Sequence, residues 1–172
     1  TFDGTKWNPA RKLYWDEGSF DVFAYYPYIP SLSGVDDLPF SVALDQSATS
    51  TDSGLDGYEA SDFLWATDQN VTASDSPVSL SFKHRMSKMV VRLMKGKDYD
   101  GDIPEDAEVY IHNTVPSATI DLSVGIVTRN THGTAQTIKA KKEKEMWYSA
   151  IVVPQRLTNQ VPLVEVVMKG VS

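Results

Sequence analysis

The chain has 172 residues, 41% of them hydrophobic, a formal net charge of −7 and no cysteine. That hydrophobic share supports a packed core and excludes wholesale disorder, and the acidic balance argues against nucleic acid or anionic lipid as the main partner, because both need a basic surface. The absence of cysteine removes disulfides, thiolate zinc sites and cysteine nucleophiles, and no apolar run reaches the roughly 18 residues of a membrane-spanning helix. The length suits one domain of ordinary size or two small ones. Thr1 and Ser172 both read as cuts in a longer chain, with no signal peptide in between.

In chain order, Phe2, Trp7, Tyr14 and Trp15 stand among turn formers. Ser19 to Tyr28 predicts a strand with apolar residues on both faces, a pattern usual for a strand covered on both sides. Pro27 and Pro30 end it. Leu38 to Leu44 alternates, with Phe40, Val42 and Leu44 in register. Asp45 to Gly57 is nearly all Ser, Thr, Asp and Gly and predicts a mobile surface loop. Ser61 to Ala66 (SDFLWA) is a compact apolar knot, and the polar stretch 67–77 is the candidate seam between an N-terminal part, 1–66, and a C-terminal part, 78–172.

The strongest periodic signal is Val78 to Lys95. Val78, Leu80 and Phe82 alternate with polar residues, then Met89, Val91 and Leu93 take the opposite parity. A strand that stays in one sheet cannot change faces without an extra residue, so a bulge or corner is expected near Met86 to Lys88. The competing helical spacing of Met86, Met89, Val90 and Leu93 is outweighed by the Val90-Val91 pair and the strand lead-in. Gly96 to Asp106 is an acidic turn. Glu108 to Val115, Thr119 to Val127, Thr137 to Lys141, Met146 to Val153 and Pro162 to Lys169 are further alternating runs, and Lys139 to Glu145 (KAKKEKE) reads as a solvated strand end or hairpin tip. The sum is seven to nine short strands punctuated by turn residues: an all-β, antiparallel β-sandwich.

No catalytic constellation emerges. Asp98, Asp100 and Asp102 could place hard oxygens around calcium, but Gly101 sits where no EF-hand glycine belongs, and a solvated Asp-Gly turn is the plainer reading. His84, His112 and His132 share no metal-ligand spacing, and His84 reads as a partly buried structural residue with a backbone partner. Trp7, Tyr14, Trp15, Tyr25, Tyr26 and Tyr28 could line a sugar-binding face, with core and edge packing as the alternative. No nucleophile elbow, phosphate loop or spaced carboxylate pair is present, so neither an enzyme nor a bound cofactor is expected.

Four short elements in order carry a resemblance. Tyr14-Trp15 precedes Phe23-Ala24-Tyr25-Tyr26-Pro27. Ser61-Asp62-Phe63-Leu64-Trp65-Ala66 follows. Next come Val78, Leu80, Phe82, His84, Met86, Ser87 and Lys88 in a V-x-L-x-F-x-H-x-M-S-K pattern. Val153-Pro154-Gln155 closes the set. Together they resemble the fimbrillin-like proteins of Bacteroidales, pilins and surface lipoproteins. The resemblance implies a transthyretin-like Greek-key sandwich, of which full-length members usually carry two. It also implies export, lipid modification on a cysteine this chain does not contain, and display at the outer membrane or in a fimbrium. Assembly with other pilin subunits by strand addition, and contact with host or bacterial surface ligands, are the partners it implies. A surface module binding glycan or calcium is the alternative. The signature from Val78 to Lys88 carries no chemistry and is expected to be structural.

Overall fold

The computed structural model describes residues 5–6, 8, 18–30, 32, 34–72 and 77–168. Twelve strands are present among them: β1 (Ser19–Tyr26), β2 (Leu38–Ser41), β3 (Leu64–Thr72), β4 (Lys83–His84), β5 (Ser87–Arg92), β6 (Glu108–Thr114), β7 (Ser117–Asp121), β8 (Ile126–Arg129), β9 (Gln136–Lys139), β10 (Lys141–Lys144), β11 (Trp147–Val152) and β12 (Val164–Val167). One 3-10 turn, Glu59–Ser61, is the sole helical element described. The strands form four antiparallel three-stranded sheets, ordered β1-β3-β4, β10-β11-β5, β12-β6-β9 and β2-β7-β8. None closes into a barrel, and the architecture is a β-sandwich.

The count exceeds seven to nine because the chain turns corners inside runs that read as single strands. Thr119 to Val127 is the clearest case. Its unbroken alternation spans the end of β7, a tight turn and the start of β8. The Asp121 carboxylate accepts hydrogen bonds from the Ser123 amide and hydroxyl. Gly125 takes φ +69° and donates its amide to the Asp121 carbonyl at 2.7 Å. A side chain at Gly125 would also meet the Trp65 ring at 2.6 Å. Ile120 and Leu122 are therefore in the core, whereas Val124 and Ile126 are in solvent.

The predicted bend in the 78–95 stretch is a change of sheet. His84 and Lys83 pair with Leu64 and Trp65 of β3; after Arg85 and Met86, β5 pairs along its whole length with β11. The helical reading of Met86 to Met94 gives way to this strand, with Met89, Val91 and Leu93 packed toward the core and Val90 outward. Val78 to Phe82 lies in no strand. A similar joint, Val115-Pro116, separates β6 from β7.

The core lies between the layers. Phe63, Trp65, Tyr148, Ala150 and Val152 meet Leu38, Phe40, Val109, Ile111, Ala118, Ile120 and Ile138. Phe40 packs edge-on against Phe63, with ring centres 5.1 Å apart. β2 shows strict alternation, Leu38 and Phe40 buried and Pro39 and Ser41 exposed. Two expectations change. β1, predicted to be covered on both faces, pairs only with β3 and is at most half-buried. Residues 67–72, read as polar linker, are the outer half of β3 and pair with β1; the core draws on residues from both sides of the 67–77 stretch.

Asp45 to Gly57 is a loop as predicted, but its first residues are locked in place. Gln46 is 0% exposed. β10 stops pairing with β11 at Ser149, and Ile151, two residues further on, presents its backbone groups to the same side. The Gln46 carboxamide fills that gap: Ile151 N–H donates to Gln46 Oε1 at 2.7 Å, and Gln46 Nε2 donates to the Ile151 carbonyl at 2.7 Å. Gln155 does the same at the β6–β7 joint. Val115 N–H donates to Gln155 Oε1 at 3.0 Å, and Gln155 Nε2 donates to the Val115 carbonyl at 3.1 Å. Each carboxamide presents one N–H and one C=O to the strand, the pair that one strand residue supplies, and donates its second N–H to the Ala43 carbonyl (Gln46) or the Val153 carbonyl (Gln155).

Replacing Gln46 by Leu leaves a buried donor and acceptor on Ile151 unpaired. At about 1–3 kcal/mol per group, the expected loss is about 2–6 kcal/mol. Gln155→Leu is expected to cost less, about 1–2 kcal/mol, because Gln155 is half-buried whereas Gln46 is fully buried. Urea unfolding of the two variants checks the order; equal losses would contradict it.

Candidate functional site

The signature residues face the SDFLWA element. Beyond the ladder pairs of His84 and Lys83, the Arg85 amide donates to the Phe63 carbonyl at 2.9 Å. Asp62 Oδ1 lies 2.8 Å from His84 Nδ1. His84 is thus not a partly buried residue with a backbone partner: its side chain is 72% exposed and its partner is a carboxylate. The parity that placed it with Val78 and Leu80 fails because Val78 to Phe82 is not continuous strand; Val78 and Leu80 are half-buried and Phe82 is exposed. The Arg85 guanidinium stacks 4.3 Å from the Trp65 ring centre, and Trp65 Nε1 donates to the Leu122 carbonyl. Ser61, fully buried, donates to the Gly57 carbonyl and accepts from the Ala43 amide. Met86 packs on the core, and Ser87 opens β5 opposite Val152. The two motifs together build the joint between sheets.

Lys88 leads into an ionic cluster. Its ammonium lies 3.5 Å from Glu143 and 5.5 Å from the Tyr58 ring centre. Lys141 lies 5.3 Å from the same ring and 2.7 Å from Asp56 Oδ2. The Lys141 hydrogen bond holds the Asp56 carboxyl below its ordinary value near 3.8, and Asp56 in turn raises Lys141. The Ser149 hydroxyl, donating to Glu143, lowers that carboxyl.

A second polar chain crosses three strands on β9, β6 and β12. His112 Nδ1 is 2.8 Å from Thr137 Oγ1, and His112 Nε2 is 2.8 Å from Glu165 Oε2. The order hydroxyl, imidazole, carboxylate matches a nucleophile, base and orienter. It lies on open surface, with the Glu165 side chain 56% exposed, so nothing desolvates it for that chemistry. Its evident effect is to tie β12 to the sheet, together with the Asn113 side chain, which donates to the Pro162 carbonyl at 2.7 Å. Sequence reading missed it because its members lie 25 and 53 positions from His112 and converge only through strand register.

The structure does not gather Asp98, Asp100 and Asp102. All three are exposed, and the loop is held by Lys95, whose ammonium reaches the Asp100 carbonyl at 3.1 Å. Among the described residues no three acidic or histidine side chains form a metal-sized group. Of the six candidate aromatics, Trp7, Tyr14 and Trp15 lie outside the described residues; Tyr25 stacks on Phe63, and Tyr26 and Tyr28 are exposed.

Because Asp56 titrates lower folded than unfolded, its stabilisation is present above the unfolded value and is lost as pH falls through the folded one. Asp56→Asn should therefore flatten the acid limb of stability below about pH 4, by no more than about 1 kcal/mol; chemical denaturation at stepped pH measures it. Calcium at millimolar concentration is expected to leave the melting temperature unchanged. A rise of several degrees would mean the 98–102 loop rearranges around the ion.

Solved structures with the same fold come from Bacteroides. A candidate cell adhesion protein of Bacteroides ovatus ATCC 8483 is 26% identical with a TM-score of 0.65, covering 98% of this chain and 59% of its own. Another from Bacteroides uniformis ATCC 8492 is 21% identical with a TM-score of 0.65, covering 90% and 56%. A third from Bacteroides thetaiotaomicron VPI-5482 is 19% identical with a TM-score of 0.59, covering 91% and 57%. The chain thus spans under three-fifths of the length of each. No curated protein matches it. A family model described as fimbrillin-like matches residues 1–171. The chain belongs to the fimbrillin-like family.

Proposed function

We propose that this protein is a non-enzymatic structural component of the cell surface, a fimbrial subunit or accessory adhesin that is exported and assembles with related subunits by strand addition. Membership of the fimbrillin-like family carries the reading, and the description of the Bacteroides neighbour at 26% identity as a candidate cell adhesion protein agrees with it. The sheets supply a physical means. Each has only three strands, so edges with unpaired backbone groups are numerous, and an edge strand is a template for another chain's strand. β12 is one such edge, paired only with β6, with Val164, Glu165 and Val166 exposed. No helix among the described residues is long and apolar enough to cross a membrane.

The intact gene product, expressed in its native host and in isolation, tests this. Negative-stain microscopy and light scattering are expected to show filaments or discrete heteromers with related subunits. A protein that stays monomeric under all export and processing conditions would overturn the subunit reading.

A further inference from the structure

The outer face of the β10-β11-β5 sheet carries a row of three side chains. Register places Trp147 opposite Arg92 on one side and Lys144 on the other. The Arg92 guanidinium lies 5.2 Å and the Lys144 ammonium 5.1 Å from the Trp147 ring centre. Other cations of this sheet are engaged: Lys141 by Asp56, Lys88 by Glu143, and Lys142 by the Glu105 carbonyl. Arg92 and Lys144 make no ion pair among the described residues, and both are exposed. The nearby carboxylate Glu143 is taken by Ser149 and Lys88, and Glu145 lies in the turn that follows Lys144. Val90, next to Arg92 on the same face of β5, is 52% exposed.

We infer that this row is a binding site for an acidic polysaccharide, a glycan carrying sulfate or carboxylate groups. Three features select that ligand. Two cations that make no ion pair flank one ring on a chain of net charge −7, which gives a polyanion a local attraction against an acidic background. The cations project from strands two apart, about 9.5 Å between backbones, which suits anionic groups on alternate sugars better than one compact anion. An aromatic ring between them, with exposed Val90 beside it, offers apolar contact to a sugar ring. Cation–π contact also holds both charged groups near the ring, reducing the ordering cost on binding. The site does not depend on strand addition and is separate from β12.

Heparin and polygalacturonate are the probes, with neutral dextran and polyglutamate as comparisons, at moderate salt on the intact protein. Calorimetry should detect heparin or polygalacturonate and not dextran. The double variant R92Q/K144Q is expected to bind about tenfold more weakly, the effect of two exposed charge contacts of up to about 1 kcal/mol each. Lys95→Gln, an exposed cation in a different loop, should bind as the parent does. A change in tryptophan emission on binding should vanish in Trp147→Phe, a variant that keeps a ring at the site. Absence of binding to both acidic glycans overturns the inference. So does equal weakening by Lys95→Gln, or binding to polyglutamate in preference to both, which would make the row an acidic-protein site.

Discussion

A sandwich of short strands has one recurring problem: wherever a strand ends or changes sheet, backbone groups inside the protein lose their partners. An unpaired buried amide or carbonyl costs about as much as a whole net hydrogen bond yields, and often more. At two of these breaks the solution is a primary carboxamide. Gln46 completes β11 beyond the end of β10, and Gln155 completes the chain between β6 and β7. Gln46 comes from a loop 105 positions away in sequence from Ile151, and the same loop is tied down by Gly57, whose amide donates to the Ala48 carbonyl, and by Ser61, which donates to the Gly57 carbonyl. A β-carbon on Gly57 would fall 2.1 Å from the Asp45 carbonyl oxygen; the glycine is what lets the loop close.

Much of the fold was legible because sandwich strands bury one face, and period-two alternation records that directly. Leu38, Phe40 and Val42, Val109 with Ile111, and Ile120 with Leu122 all entered the core as their alternation required, whereas Leu44, expected in register with Phe40 and Val42, lies past the end of β2 and is exposed. The KAKKEKE run became β10 and its turn, with Met146 in the left-handed region at φ +59°. Alternation cannot mark a tight turn whose own residues preserve the parity, so the β7–β8 hairpin read as one strand. It also cannot distinguish an edge from a centre: β1 has apolar residues on both faces yet pairs with one neighbour. Composition misled at Gln46, a polar residue in a polar loop that is among the most deeply buried in the chain.

The polar networks were the least legible part. Asp62 with His84, Asp56 with Lys141, and the Thr137-His112-Glu165 chain each join residues distant in sequence and adjacent only through register. The family motifs acquire physical reasons from them. Ser61 holds the Ala43 amide, Asp62 holds His84, Trp65 supports Arg85, Lys88 meets Tyr58 and Glu143, and Gln155 fills a backbone gap. His84, Arg85 and Gln155 act at the places where the chain leaves one sheet for another, and Ser61 and Lys88 fix the loop and the sheet beside them.

The joint at Arg85-Met86 has a consequence for how the molecule comes apart. One continuous backbone is a ladder partner of β3 before the joint and of β11 after it. Peeling either small sheet away drags the shared segment and strips pairs from the other. Opening events confined to one sheet are therefore disfavoured, and amide protection in β3, β5 and β11 should rise and fall as a single cooperative unit. Such coupling limits the partly open states that proteases attack, and does so without a disulfide.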